Sequence, residues 1–367
     1  MIKVNAGVLK IIAIISMVAD HIAGSLLDPV LRMQGIISRD FLFGFADLSK
    51  APGLCIASAA LHLIGRVSFP LILFLLAEGF RHTQDIKKYL LRLGLMAVAA
   101  EIPYNLCFYG KCFVIDGAFP FSCLHNTGWT LTISLLAMLA MQRISRANVV
   151  VGKIFSRENM TGSKGMITPG ASDSGGAWHP ALDKVLSCLG PLVFCGTLSF
   201  YTASIYFPDF DIRTFPPAFT GIGTLLFLGV YFIVMRPFRG AVAKKIRMQL
   251  CTTGLLAFVS FLLGNDYAYI GVVGACVVYL ILGDRLPEQS AGEMPPYRKS
   301  YTAGSLALCY WSLSELAAFL MLPLIRRYDG TAGRPLFRNP VLNRYFYYVF
   351  YPLHLLLLWG AAKLILH

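Results

Sequence analysis

Apolar residues in this chain come in long unbroken runs, not in the alternating or every-third-or-fourth spacing of water-soluble elements. Ten runs approach the roughly 20 residues a helix needs to cross a bilayer. They cover 8–27, 61–80, 88–109, 124–142, 185–206, 218–235, 248–264, 267–283, 303–325 and 345–366. The pattern predicts an all-α polytopic integral membrane protein of about ten transmembrane helices, forming a single domain over 1–367. The seventh and eighth runs meet at Gly264-Asn265-Asp266, so that pair reads either as two crossings or as a re-entrant hairpin.

Two polar stretches interrupt the runs. Residues 28–58, with Asp28-Pro29 and Ala51-Pro52-Gly53, read as an insertion between the first two helices, with an interfacial helix around Ile36 to Phe45. Residues 143–180 turn rich in Gly and Ser and read as a flexible polar inner loop, because such a composition buries no core. The first run starts behind Lys3, as a signal peptide would. It carries Asp20-His21 within the apolar stretch and lacks a small-x-small cleavage site, so it reads as a retained helix. There is no internal repeat, no phosphate-binding glycine loop and no haem or zinc spacing.

Composition sharpens this picture. With 56% hydrophobic and 14% charged residues in 367, the chain falls outside the soluble, disordered and collagenous classes. Nine Cys are too few for a disulfide framework. Cys107, Cys112 and Cys123 nevertheless flank one short outer loop, where an oxidising compartment would allow a disulfide. The net charge of +13 raises nucleic acid as a partner, but the Lys and Arg lie between apolar runs, as in loops at a cytoplasmic face. Their alternation puts the N-terminus inside, with no nucleic-acid partner. One loop breaks the rule: Arg326, Arg327, Arg334, Arg338 and Arg344 fall on the outer side. Either that charge is functional or the helix count is off by one nearby.

Ionisable side chains near mid-bilayer cost about 2.5 to 3.5 kcal/mol each on insertion scales, so each needs a reason. Lys10 and His21 are eleven residues apart, close to three helical turns, and share a face. His21 then lies ~16 Å deeper than Lys10, about the reach of a pantetheine arm. The plainer reading is that Lys10 snorkels to the interface while His21 makes an internal hydrogen bond. Asp20 points about 100° away from His21, so it orients the imidazole through water or pairs with an Arg on another helix. Glu78, Arg81 and His82 form one stripe, which is either a local ion pair or, with Arg92, a basic funnel for an anionic cofactor. Arg66 lies inside an apolar stretch and reads as lining a site, or as snorkelling to the outer interface. Glu101 and Glu315 read as structural counter-ions. The spacing of His and acids offers no metal cage.

These residues also carry a resemblance. Leu9-Lys10-Ile11-Ile12-Ala13 through Asp20-His21-Ile22, Ile64-Gly65-Arg66-Val67-Ser68-Phe69-Pro70, and Leu76-Ala77-Glu78-Gly79-Phe80-Arg81-His82-Thr83 are similar, in that order, to segments of the TraX family. So are Lys88 to Leu93, Glu101-Ile102-Pro103-Tyr104 and Tyr347 to Leu356. TraX proteins are bacterial membrane proteins named for the conjugal-transfer pilin acetylase, so the resemblance implies a bacterial cytoplasmic (inner) membrane. The likeness covers both ends and thins in the middle. Around His125 only Asn126 and Thr130-Leu131 fit, and the Asp266-Tyr267 to Gly271-Val272 segment lacks the family's usual glycine after the tyrosine. The family looks related to the acyltransferase 3 group, whose first helix carries a catalytic His behind a basic residue, a spacing that Lys10 and His21 fit.

The resemblance implies acyl transfer, of acetyl above all, from cytoplasmic acyl-coenzyme A to a membrane or outer-side acceptor. That acceptor could be a pilin N-terminus, a glycan, a lipid or a small molecule. In that scheme His21 is the general base, Asp20 stabilises its imidazolium, and Arg66 or another buried donor holds the oxyanion. Lys10, Arg81, His82 and Arg92 hold coenzyme A phosphates. Glu78, Glu101, Asn126, Asp266 and His354 support the site. Acyl-coenzyme A is a co-substrate, and no cofactor or metal is held permanently. The competing readings are a proton-coupled transporter or flippase with Asp20, His21, Glu78 and Glu101 as its relay, and a non-catalytic scaffold that leaves the buried charges unexplained.

Overall fold

The computed structural model describes residues 3–37, 51–112, 125–160, 180–206, 217–283 and 296–366. Among these the chain is helical, without strands, and two isolated bridges pair Val4 with Tyr328 and His125 with Asn265. The chain divides into two compact units, Met1–Leu135 with Val259–His367, and Leu136–Phe258.

In the first unit, helix α1 (Ala6–Ile22) starts at Asn5, whose side-chain oxygen accepts the Val8 backbone N–H at 3.1 Å. It runs through a π-helical turn, Ala23–Leu27, into α2 (Asp28–Met33) as one continuous rod. Helices α3 (Pro52–Gly65) and α4 (Ser68–His82) follow, stepped at Arg66-Val67. Residues 28–33 and 52–58, within the stretch expected as an insertion, thus extend the first two helical rods. The reason is that Asp28 is only 4% exposed and accepts hydrogen bonds from α3, so its charge does not end the buried run. Of the interfacial helix expected around Ile36 to Phe45, all but the first two residues fall outside the described residues. Gly65 lets α3 meet α1: a Cβ there would lie 2.3 Å from the Cβ of Asp20.

Helix α5 (Ile86–Tyr109) is capped by Asp85, which accepts the Lys88 N–H at 3.1 Å, and ends at Gly110 with φ +68°. The next helix, α6 (Thr127–Met160), extends to residue 160 into the stretch expected as a flexible loop. The remainder of that loop, 161–179, lies outside the described residues. The second unit comprises the later part of α6, α7 (Pro180–Tyr206), α8 (Pro217–Met235) and most of α9 (Gly240–Leu262). Small residues bring its helices together: a Cβ on Gly254 of α9 would sit 2.9 Å from the Cα of Phe194 on α7.

The first unit is completed by α10 (Ala268–Leu282), α11 (Tyr297–Cys309), a 3-10 segment Leu313–Met321, α12 (Leu322–Ile325) and α13 (Pro340–Leu366). Six helical stretches among the described residues are long and apolar enough to cross a bilayer: Ala6–Met33, Pro52–His82, Ile86–Tyr109, Leu189–Tyr206, Ala218–Met235 and Pro340–Ile365. Ala268–Leu282 and Leu313–Ile325 are apolar but shorter.

The expected span 303–325 is a hairpin. α11 stops before Ser312, whose extended backbone (φ −150°, ψ 134°) reverses the chain, and the Tyr301 hydroxyl donates to the Ala318 carbonyl at 2.9 Å. Both ends come back together, with the Tyr297 and Tyr328 rings 4.7 Å apart. The basic loop that follows therefore lies beside the N-terminus. The Val4 N–H donates to the Arg327 carbonyl at 3.1 Å, Asp329 N–H to Val4 at 3.0 Å, and Ala6 N–H to Thr331 at 2.8 Å. The exceptional arginine loop is thus on the same side as Lys3 and Lys10, and the charge alternation needs no exception there.

Candidate functional site

Within the first unit lies a cavity of about 880 Å³. Helix α1 gives it Lys10, Asp20 and His21, α5 gives Arg92, the loop before α13 gives Arg334, and α13 gives Arg344. The cations share one end. The Lys10 ammonium lies 5.1 Å from the Tyr347 ring, the Arg92 guanidinium 6.0 Å from the neighbouring Tyr348 ring, and a Cβ on Gly7 would be 3.8 Å from the Arg334 carbonyl. The histidine lies at the other end, ~16 Å along α1 from Lys10.

At that end His21 and His354 of α13 form a dyad. His21 Nδ1 is 2.7 Å from His354 Nε2, with the ring planes only 8° apart. His354 Nδ1 lies 2.9 Å from the Phe350 carbonyl, which can only accept, so this nitrogen carries the hydrogen. In the neutral pair His354 Nε2 is then the acceptor, and His21 Nδ1–H donates to it. That leaves the lone pair of His21 on Nε2. The Phe108 ring, 5.2 Å away and nearly perpendicular, packs against the imidazole. Tyr351, one turn before His354, also lines the cavity, and its buried hydroxyl lacks a well-aligned hydrogen-bond partner.

Asp20 does not serve His21 directly. Its Oδ1 accepts from His62 Nδ1–H at 2.9 Å and faces the Arg66 guanidinium at 3.6 Å, which is the expected pairing with an Arg on another helix. His62 Nε2–H donates to Asp28 Oδ2 at 3.0 Å, and Ser58 donates to Asp28 Oδ1 at 2.6 Å. Carboxylates only accept, so an imidazole bonded to both by ring N–H groups is an imidazolium. Arg66 Nη1 also reaches the Tyr267 hydroxyl at 3.2 Å and Glu315 Oε1 at 3.3 Å, while Glu315 is fully buried. Arg66 therefore neutralises two carboxylates, and the cavity wall contains Gly65 and Ser68 but not Arg66 itself.

His62, Asp28, Ser58 and Tyr267 are missing from the sequence-based set. A signal was present: His62 precedes Arg66 by one turn, and Asp28 follows Asp20 by eight residues, so both continue faces already singled out. They fell within or beside stretches assigned to an insertion and to an apolar span.

The other expected residues sit elsewhere. Arg81 donates to Glu78 at 2.7 Å and His82 Nε2 lies 3.3 Å from the same carboxylate, so the stripe is a local ion-paired cluster; none of the three lines the cavity, though Gly79 and Thr83 beside them do. Glu101 accepts from His125 at 2.7 Å, Asn126 at 2.7 Å and Trp129 at 3.0 Å, which is a structural clamp between α5 and the start of α6. Asp266 lines the cavity, accepting from Thr127 at 2.8 Å and from the Tyr267 N–H at 3.0 Å. Tyr267 and Ala268 carry φ of +56° and +30°, so the position after the tyrosine has the backbone conformation that favours glycine. Cys107 and Cys112 are free thiols, and Cys123 lies outside the described residues. No cluster of metal-ligating side chains occurs among the described residues.

Residues 5–155 match the family model described as TraX protein, in agreement with the resemblance carried by Lys10, His21, Arg66 and Glu101. The matched part includes α1 to α5 and ends within α6, whereas His354 lies beyond it. No curated protein and no solved structure matches the chain.

Proposed function

Since residues 5–155 match the TraX family model, we propose that the protein is a membrane-embedded acyltransferase. It moves an acyl group, acetyl above all, from cytoplasmic acyl-coenzyme A to an amine or hydroxyl acceptor. What supports the reading is one arrangement: a cavity with cations at one end and, ~16 Å away along α1, a histidine whose tautomer is fixed with its base nitrogen free. In this reading the basic end faces the cytoplasm of a bacterial cell, as the Lys and Arg content of its loops favours.

The chemistry needs no metal. His21 Nε2 takes the proton from the acceptor as its nitrogen or oxygen attacks the thioester carbonyl carbon. The tetrahedral oxyanion collapses, the carbon–sulfur bond breaks, and the coenzyme A thiolate recovers the proton from His21 Nε2–H. His354 accepts from Nδ1–H throughout and so stabilises the transient imidazolium. Tyr351 is the nearby hydroxyl donor suited to the oxyanion. Arg66 acts one step back, holding Asp20 and Glu315. The relay reading is disfavoured because Glu78 and Glu101 are spent on Arg81 and His82, and on His125, Asn126 and Trp129.

The test is His21→Ala in the full chain. Transfer of radiolabelled acetyl from acetyl-coenzyme A into membranes should vanish while coenzyme A binding persists. Transfer at the wild-type rate refutes the assignment.

A further inference from the structure

From the sequence, the arginines between positions 326 and 344 are either functional or the sign of a miscounted helix. Two of them, Arg334 in the loop before α13 and Arg344 near the start of α13, line the cavity together with Lys10 and Arg92. No ion pair joins any of the four to a carboxylate among the described residues, and Arg92 Nε is buried without a hydrogen-bond partner. Of the four residues expected here from the sequence, Arg81 is ion-paired with Glu78 and His82 lies beside the same carboxylate. Like charges converging on a cavity mouth focus a positive potential there and draw anions to it.

The backbone adds to the charge. α1 and α13 both begin here: Asn5, Gly7 and Val8 from the first and Asn343 from the second line the cavity. Two helix N-termini thus bring partial positive charge to the same place. The loop is also built, not draped. Its backbone bonds to Val4 and Ala6 fix one end, and the Leu336 N–H donates to Asn343 Oδ1 at 2.9 Å. Gly333, at φ +76°, lies against Asn5 so closely that a Cβ would be 2.3 Å from Oδ1. That contact sets the position of Arg334 next to it.

We infer that Arg334 and Arg344, with Lys10 and Arg92, form the phosphate-binding mouth of the cavity, and that it takes the diphosphate and 3′-phosphate of coenzyme A. This rests on the acyltransferase reading and replaces Arg81 and His82 in it. Guanidinium groups suit the task because their planar fork meets phosphate oxygens in pairs.

The experiment compares three full-length proteins purified in zwitterionic detergent: wild type, Arg334→Ala/Arg344→Ala, and Arg81→Ala/His82→Ala. Coenzyme A and adenosine 3′,5′-bisphosphate are titrated into each, and size-exclusion elution reports folding. Loss of each phosphate-facing arginine should weaken coenzyme A about tenfold. The bisphosphate should follow the same order, and the Arg81/His82 variant should bind as wild type does. Equal binding by wild type and the Arg334/Arg344 variant overturns this inference while leaving the donor reading intact. Failure of the wild type to bind coenzyme A overturns both. Arg334-dependent retention of phosphatidylglycerol with no coenzyme A competition assigns the mouth to a lipid headgroup and also overturns it. If either double variant elutes as aggregate, the single substitutions Arg334→Gln and Arg344→Gln carry the same test.

Discussion

Replacing His354 by Ala is the most direct probe of the dyad. The substitution removes the acceptor 2.7 Å from His21 Nδ1 and leaves that N–H without a partner. His21 can then shift its hydrogen to Nε2, the nitrogen needed as base. A buried hydrogen bond whose partner is deleted costs about 1 to 3 kcal/mol, and one tenfold in rate corresponds to about 1.4 kcal/mol. The expected loss of kcat is therefore about 10- to 100-fold, with little change in KM for acetyl-coenzyme A, because the cation end is untouched. The assay is initial-rate transfer of radiolabelled acetyl into membranes, with size-exclusion elution as the folding control. His354→Gln should recover part of the loss, because its amide oxygen can accept from Nδ1–H where alanine cannot. A structural role alone would instead lower the yield of both variants and spare the kcat of whatever protein folds. Wild-type kcat in His354→Ala would refute the dyad.

Other perturbations reach different parts of the molecule. Ala268→Gly should raise the melting temperature, since it relieves about 1 kcal/mol of left-handed backbone cost at φ +30°; an unchanged or lower midpoint argues against strain there. His62→Ala should destabilise by about 3 to 5 kcal/mol, because it leaves Asp20 and Asp28 without the imidazolium between them, and wild-type thermal stability in this variant would contradict the network. At the start of α5, the Lys88 backbone N–H holds the Asp85 carboxyl below the usual carboxylate range. A depressed carboxyl stabilises the fold above its unfolded pKa and loses that contribution as pH falls through the folded value. Wild type should therefore melt above Asp85→Ala at neutral pH, with the gap closing in strong acid, and a gap independent of pH would rule out the ionised cap.

Membrane residence followed from the run lengths alone, since no other use of 20 consecutive apolar residues repeats along a chain in this way. The face shared by Lys10 and His21 was equally legible, because a helix of fixed period places residues eleven apart on one side whatever surrounds it. So was the suspicion attached to Asp20, Arg66 and Glu315, because burial of charge is costly in any fold. Partners were not legible. Whether Asp20 meets His21, His62 or Arg66 depends on how α3 crosses α1, and that crossing depends on the absence of a side chain at Gly65. Periodicity likewise cannot tell a span from a hairpin: residues 303–325 are mostly apolar, and only the turn at Ser312 and the bond from Tyr301 to Ala318 fold them back. That reversal moves five arginines to the side of the N-terminus and brings two of them to the cavity. Hydropathy fixes how each segment partitions between water and lipid, which is a property of composition. Which charges face one another is set by contacts between segments distant in sequence, and those exist only once the helices have packed.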